Sequence, residues 1–347
     1  MSWTSRRSWS DSGTQPRLPV SLGGAHFSAE DGKLYTFGSG NWGVLGHGSE
    51  KDVKFDSPQV VDYFVKRDKK VTQVALGEYH TAALCEDGSV YTWGYAGKVG
   101  MFSWMYTQEV GALGHGDKKH HFAPKKVEFF EKNNIKVKAI SAGLYHTNAL
   151  AEDGQLYTWG RGLYGVLGNG SNDYALSPTL NQEMKFLMAE DQNKWHIAKL
   201  ESADEYSGAL SSDQRLFVWG KNDRGQLGVG SGIGIDMVES ENQPTSVSVV
   251  DDKQQPVLVK DFHPGQNTML IVDENHNVYK TGLKLDYSPK QVNIFSEEFP
   301  KEQVAELACG RRHYVIRSND NKLMVWGNVF KEKPAKEQDG FGLYFGN

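Results

Sequence analysis

Two stretches of the chain spell Gly-x-Gly-x-x-Gly, the pattern that lets backbone approach a dinucleotide pyrophosphate: Gly38 to Gly43 (GSGNWG) and Gly160 to Gly165 (GRGLYG). That chemistry needs the glycines to open a helix whose N-terminus meets the phosphate. Val-Leu-Gly-His-Gly or Val-Leu-Gly-Asn-Gly follows instead, and glycine at that density stops a helix. The matching loop at Gly220 (GKNDRG) lacks the middle glycine, so no cofactor is expected. Four histidines, His26, His80, His146 and His313, stand at matched positions, and each is read as satisfying a hydrogen bond inside its own segment. His120 and His121 follow Lys118 and Lys119, whose charges repel a cation. Cys-x-x-Cys, His-Glu-x-x-His, Gly-x-Ser-x-Gly and a P-loop are absent. These residues point away from an enzyme and from a metal site.

The same residues make better sense as architecture. The segment GLYHTNALAEDGQLYTWGRGLYGVLGNG, from Gly143 to Gly170, alternates small or apolar residues with others on both sides of Asp153-Gly154. That is a strand, an Asp-Gly hairpin turn and a second strand, followed by a glycine-spaced loop. Copies recur, marked by the glycine that ends the second strand: Gly38, Gly94, Gly160, Gly220, Gly282 and Gly327. The residue before that glycine is Phe37, Trp93, Trp159, Trp219 and Trp326, with Thr281 in the weakest copy. Tyr206 and Asn267 replace the histidine in the fourth and fifth copies. A proline is expected to open the next strand each time, at Pro58, Pro124, Pro178, Pro244, Pro289 and Pro334, since it has no N–H to give a ladder. One unit cannot bury its own apolar face, so the copies must stack.

Gly-x-x-His-Thr, Asp-Gly-x-Val/Leu-Tyr-Thr-Trp-Gly, Gly-x-Leu-Gly-x-Gly and Pro-x-x-Val together resemble the regulator of chromosome condensation repeat. The resemblance implies an all-β fold, a single β-propeller over residues 17–347 with six recognisable repeats, six or seven blades, and an N-terminal tail over 1–16. The tail Asp339 to Gly346 echoes a second strand; completing a blade with the N-terminal segment is the alternative. A light-sensing member of the family uses tryptophans in Gly-Trp-Arg-His-Thr. Here the motif reads Gly-Glu-Tyr-His-Thr and Gly-Leu-Tyr-His-Thr, so photoreception is not implied.

Recognition then falls to whatever departs from the repeat. In the second copy the glycine loop is twelve residues longer than in its neighbours, and the inserted loop 99–112 carries Met101, Phe102, Trp104, Met105 and Tyr106. Such side chains in a turn need cover, and they are the types found at the buried centre of protein interfaces. A second insertion, Ser231 to Gln243, carries Ile233, Ile235 and Met237, and the tail carries Trp3 and Trp9. The expected role is a non-catalytic protein-interaction scaffold or accessory subunit of a large multi-subunit assembly. The alternative that the resemblance implies is guanine-nucleotide exchange on a Ran-like small GTPase. A net charge of −5 gives no general attraction to nucleic acid, and no apolar run reaches the length needed to insert in a membrane. Only two cysteines, Cys85 and Cys309, fit an intracellular site, cytoplasmic or ciliary. The Arg- and Ser-rich start makes the mitochondrion the alternative.

Overall fold

The computed structural model describes residues 24–28, 31–97, 111–190, 194–230, 239–283, 286–292, 304–309, 313–319, 322–327 and 344–346. Each repeat folds as an antiparallel sheet in which sequence neighbours pair. The second sheet runs Val71–Leu76, His80–Cys85, Val90–Gly94 and His121–Lys126, in that order. Third, fourth, fifth and sixth sheets repeat the four-stranded order, beginning at Val137, Ile197, Val259 and Val304. The first sheet, Gly24–Ser28, Leu34–Ser39 and Lys54–Val60, has three strands among the described residues. Five sheets are therefore complete four-stranded meanders.

The hairpins follow the sequence closely. His80 lies opposite Gly94 and His146 opposite Gly160, so the Gly-x-x-His turn and the strand-ending glycine share one end of each sheet. Pro334 lies outside the described residues, and the other five prolines do not open strands. Pro124 sits inside His121–Lys126, between the pairs Thr92↔Lys125 and Gly94↔His121 where the register shifts, and Pro58, Pro178, Pro244 and Pro289 are likewise internal. A bulge on an outer strand loses a ladder bond anyway, so a residue without N–H costs least there. The C-terminal strand Tyr344–Gly346 pairs with Leu323, Met324 and Val325, completing the sixth sheet as its outer strand rather than joining the N-terminal segment.

The chain divides into two compact units. One holds residues up to 213 with 217–221 and 240–245; the other holds 214–216, 222–239 and the rest. In the first unit the cores lie between successive sheets. Leu34 and Val61 of the first pack with Val74, Ala83 and Trp93 of the second. Ala82 and Val90 of the second pack with Ile140, Ala149 and Trp159 of the third, and Leu150 of the third with Leu200 and Trp219 of the fourth. In the second unit Leu270 and Val278 pack with Leu307, Ile316 and Met324. Short helices absent from the strand pattern follow three outer strands: Asp62–Val65, Glu128–Lys132 and Gln182–Glu190. They insert Phe64, Phe130 and Met184, all buried, into those cores.

Candidate protein-binding face

The glycine loops that mimic a phosphate motif are latches between sheets. Trp93 Nε1 donates to Val44 O at 2.8 Å, Trp159 Nε1 to Ala112 O at 3.0 Å, and Trp219 Nε1 to Val166 O at 3.0 Å. Each carbonyl belongs to the loop of the preceding sheet. A Cβ on Gly114 would stand 2.7 Å from Trp159 Nε1, and one on Gly168 would stand 2.7 Å from Trp219 Cδ1, so only glycine permits the approach. The last glycine completes each latch: Gly48, Gly116 and Gly170 donate to Phe122 O, Leu176 O and Asn242 O on the next sheet's outer strand.

Two of the matched histidines, His80 and His146, work between sheets, not within them, while the side chains of His26 and His313 lie outside the described residues. His80 Nε2 bonds Thr147 Oγ1 and His146 Nε2 bonds Ser207 Oγ, both at 2.8 Å and buried. Burial pushes His80 down to about 4 and, with the neighbouring His80, His146 to about 3, so both rings are neutral at physiological pH. Burial and then the Asp87 charge push the Cys85 thiol up to about 12, which removes its nucleophilic form. His80 and His146 are thereby committed to holding sheets together. Among the described residues no group of three His, Cys, Asp or Glu could hold a metal ion.

The long loop of the second sheet grows from a defined point in this latch. In the shorter loops one hydrogen bond spans two residues: Gly43 N to Gly40 O (3.1 Å), Gly165 N to Gly162 O (2.9 Å), Gly225 N to Asn222 O (2.9 Å). In the second, Gly111 N donates to Ala96 O at 3.0 Å across residues 97–110. The insertion thus replaces the pair that carries Trp42 in the first loop and Tyr164 in the third. Gly111 and Ala112 already belong to the regular latch, both buried, so the expected boundary of 99–112 moves inward at its end.

Trp42 and Tyr164 adopt the left-handed backbone conformation, at φ 59° and 61°, which a bulky residue adopts at a cost of about 1 kcal/mol or more. Trp42 is 48% exposed. Its ring meets Tyr95 at 4.9 Å and His120 at 5.9 Å, and Tyr95 stacks on His120 at 4.7 Å. His120 Nδ1 accepts from Ala96 N at 3.0 Å, fixing the root of the insertion. Tyr95 contacts Tyr79 at 5.9 Å, and Tyr79 stacks on Tyr145 at 5.1 Å with the rings 6° from parallel. Arg161 lies 5.8 Å over Tyr145 and 3.9 Å from Glu205, which also takes Lys221 at 2.6 Å. Lys221 in turn covers Tyr164 at 4.6 Å. One continuous run of aromatic and paired charged side chains therefore crosses the loop end of four sheets in the first unit. Burial, then Tyr79, holds the Tyr145 phenol well above its usual range, so that ring stays uncharged.

Met101, Phe102, Trp104, Met105 and Tyr106 lie outside the described residues, as do Ile233, Ile235, Met237, Trp3 and Trp9. The structure brings to the root of the first insertion a set that sequence reasoning had assigned to the fold or passed over: Trp42, Tyr79, Tyr95, His120 and Tyr145. The available signal was the aromatic ahead of the loop glycine in GNWG and GLYG, together with the tyrosine before His80 and His146.

Comparison with known proteins matches these features to one family. The chain is 32% identical over 330 residues to the ultraviolet-B receptor UVR8 of Arabidopsis thaliana, covering 89% of this chain and 64% of that protein. It is 31% identical over 205 residues to the human E3 ubiquitin-protein ligase HERC2, covering 58% of this chain and 4% of the ligase. The chain thus spans less than two thirds of the length of either relative. The crystal structure of Prp20p from Saccharomyces cerevisiae, described with its binding to Gsp1p and histones, superposes with a TM-score of 0.69 at 20% identity, over 89% of this chain and 72% of that one. That likeness establishes the all-β propeller fold. The RCC1-like domain description matches residues 8–331, and the chain belongs to the RCC1-like domain family.

Proposed function

We propose that this chain is a non-catalytic protein-interaction module, a scaffold or accessory subunit of a larger intracellular assembly, whose partner docks on the face around residues 97–110. The observation that carries this reading is the root of the insertion. The added residues leave the latch where neighbouring loops present Trp42 and Tyr164, and the Ala96–Gly111 bond keeps the loop's two ends together. Met101, Phe102, Trp104, Met105 and Tyr106 are the anchors, with the aromatic run at the loop's root as a rigid platform. Ile233, Ile235 and Met237 form a second contact, and Trp3 and Trp9 a third. Residues 17–347 act as one propeller of six or seven blades, with 1–16 as its tail. Cys85 and Cys309, both buried, suit a reducing compartment, cytoplasm or cilium, with the mitochondrion as the alternative.

The test is affinity capture with the wild-type chain and with Trp104→Ser/Met105→Ser, followed by identification of the recovered proteins. A stable neighbour held by the wild type should fall at least tenfold in the double variant, with unchanged thermal unfolding. Equal recovery would remove the role assigned to the loop. Exchange activity is the competing reading, because the structurally similar Prp20p is described as binding Gsp1p. Acceleration of labelled-nucleotide release from a Ran-type GTPase at substoichiometric chain would favour exchange over scaffolding.

A further inference from the structure

A cleft of about 500 Å³ opens at the outer edge of the first sheet, away from the aromatic run and independent of the protein-binding reading. Its apolar wall includes Phe55 and Tyr63, with the edge of His47 set 4.8 Å from Phe55. Three charged side chains stand at its lip: Asp62, Lys66 and Arg67. Asp62 and Lys66 neutralise each other at 2.9 Å. The Arg67 guanidinium lies over the Tyr63 ring, with Cζ 3.8 Å from the ring centroid, and Nη1 donates to Tyr63 O at 3.2 Å. Among the described residues no carboxylate pairs with it.

The equivalent turn of the second sheet shows what the fold itself requires there. Asn133 Nδ2 donates to Phe129 O at 2.8 Å, the counterpart of the Arg67–Tyr63 bond. A short neutral amide therefore suffices to cap the helix. Arg67 supplies that cap with one N–H and keeps further in-plane donors and a full charge at the mouth of the cleft. Stacking on Tyr63 holds the guanidinium in place, so little rotamer freedom remains to be lost on binding. His47 is kept neutral, its pKa lowered chiefly by burial, and its Nε2 is engaged with Thr36 Oγ1 at 2.9 Å. It adds aromatic surface rather than charge.

From this we infer that the cleft binds a small monocarboxylic acid with an aromatic or branched apolar body. Arg67 would take the carboxylate through two N–H donors, and Phe55 and Tyr63 would flank the apolar part. A volume of about 500 Å³ is in the range of small-molecule sites. A phosphate dianion fits less well, since only one cation is uncompensated and Asp62 stands on the same lip.

The experiment titrates the full chain with N-acetyl-L-phenylalanine, followed by saturation-transfer NMR and calorimetry. Its uncharged amide, phenyl phosphate and the tetrapeptide Gly-Gly-Gly-Phe are titrated in parallel. Saturable binding of the acid is expected, at least tenfold tighter than the amide and tighter than phenyl phosphate. Arg67→Asn retains the cap that Asn133 provides in the next sheet, and should lower affinity at least tenfold with unchanged unfolding. Phe55→Ala gives a second, charge-independent loss. Absent saturation, equal binding of acid and amide, or unaltered affinity in Arg67→Asn would overturn the assignment. Tighter capture of the tetrapeptide would reassign the cleft to a protein chain end and overturn the small-acid reading.

Discussion

Trp93, Trp159 and Trp219 each fill the space beside a neighbouring glycine loop and give one N–H to its carbonyl. At the fifth sheet Thr281 stands in the tryptophan position, fully buried, and gives its hydroxyl to Gln226 O at 2.7 Å. The loop glycine is retained at both kinds of seam, since a Cβ on Gly228 would come within 2.5 Å of Thr281 Cγ2. The bond and the close approach are thus the fixed requirements, and the indole is the variable one. Leaving a buried carbonyl without its donor costs about 1–3 kcal/mol whatever fills the volume around it. The polar contacts further in differ too. His80–Thr147 and His146–Ser207 tie the first unit's sheets, whereas Tyr314 Oη donates to Thr268 Oγ1 at 2.7 Å in the second.

Acid should separate the two units most strongly. The folded chain holds His80 near 4 and His146 near 3, while both return to about 6.5 on unfolding. The unfolded chain therefore takes up protons that the folded one refuses. Stability is complete above pH 6.5 and falls as pH drops toward 4, by on the order of 3 kcal/mol per ring. Burial pushes the Tyr314 phenol up, so it stays neutral throughout this range. Hydrogen exchange at pH 7 and pH 4.5 should show residues 137–151 losing protection before 268–273. Equal loss in both segments would break the distinction.

Substitutions at the seams give the next largest effect. Trp159→Ala empties a large buried volume and leaves Ala112 O with only the Thr147 hydroxyl at 3.3 Å, for an expected cost of about 3–5 kcal/mol. Thr281→Val keeps the volume and removes only the donor, for about 1–3 kcal/mol. Urea unfolding of both variants measures the gap. Costs that coincide would mean the indole contributes no more than its hydrogen bond.

The smallest effect is expected at the loop tip. Trp42→Gly relieves the left-handed strain and removes a half-exposed ring, so stability should change by less than about 1 kcal/mol while partner capture declines. A larger loss in thermal unfolding would assign Trp42 to the packing of Tyr95 and His120 instead of to recognition.

The all-β repeat and its Asp-Gly hairpins were legible because they follow from local rules. Asp153-Gly154 dictates a turn, alternation dictates a face, and recurrence of the pair dictates stacking. The histidines and glycines could be located but not interpreted. His80 and Thr147 lie 67 positions apart, and Gly114 needs no side chain only because Trp159 arrives there from the following sheet. Phe64 and Phe130 sit in helices too short to show a 3.6-residue period, and their depth comes from the sheets on either side. For the insertion, sequence counted the extra residues, whereas tertiary structure decided where they leave the repeat. A loop's roots are fixed by hydrogen bonds to groups distant in the chain, and neither composition nor spacing encodes those partners.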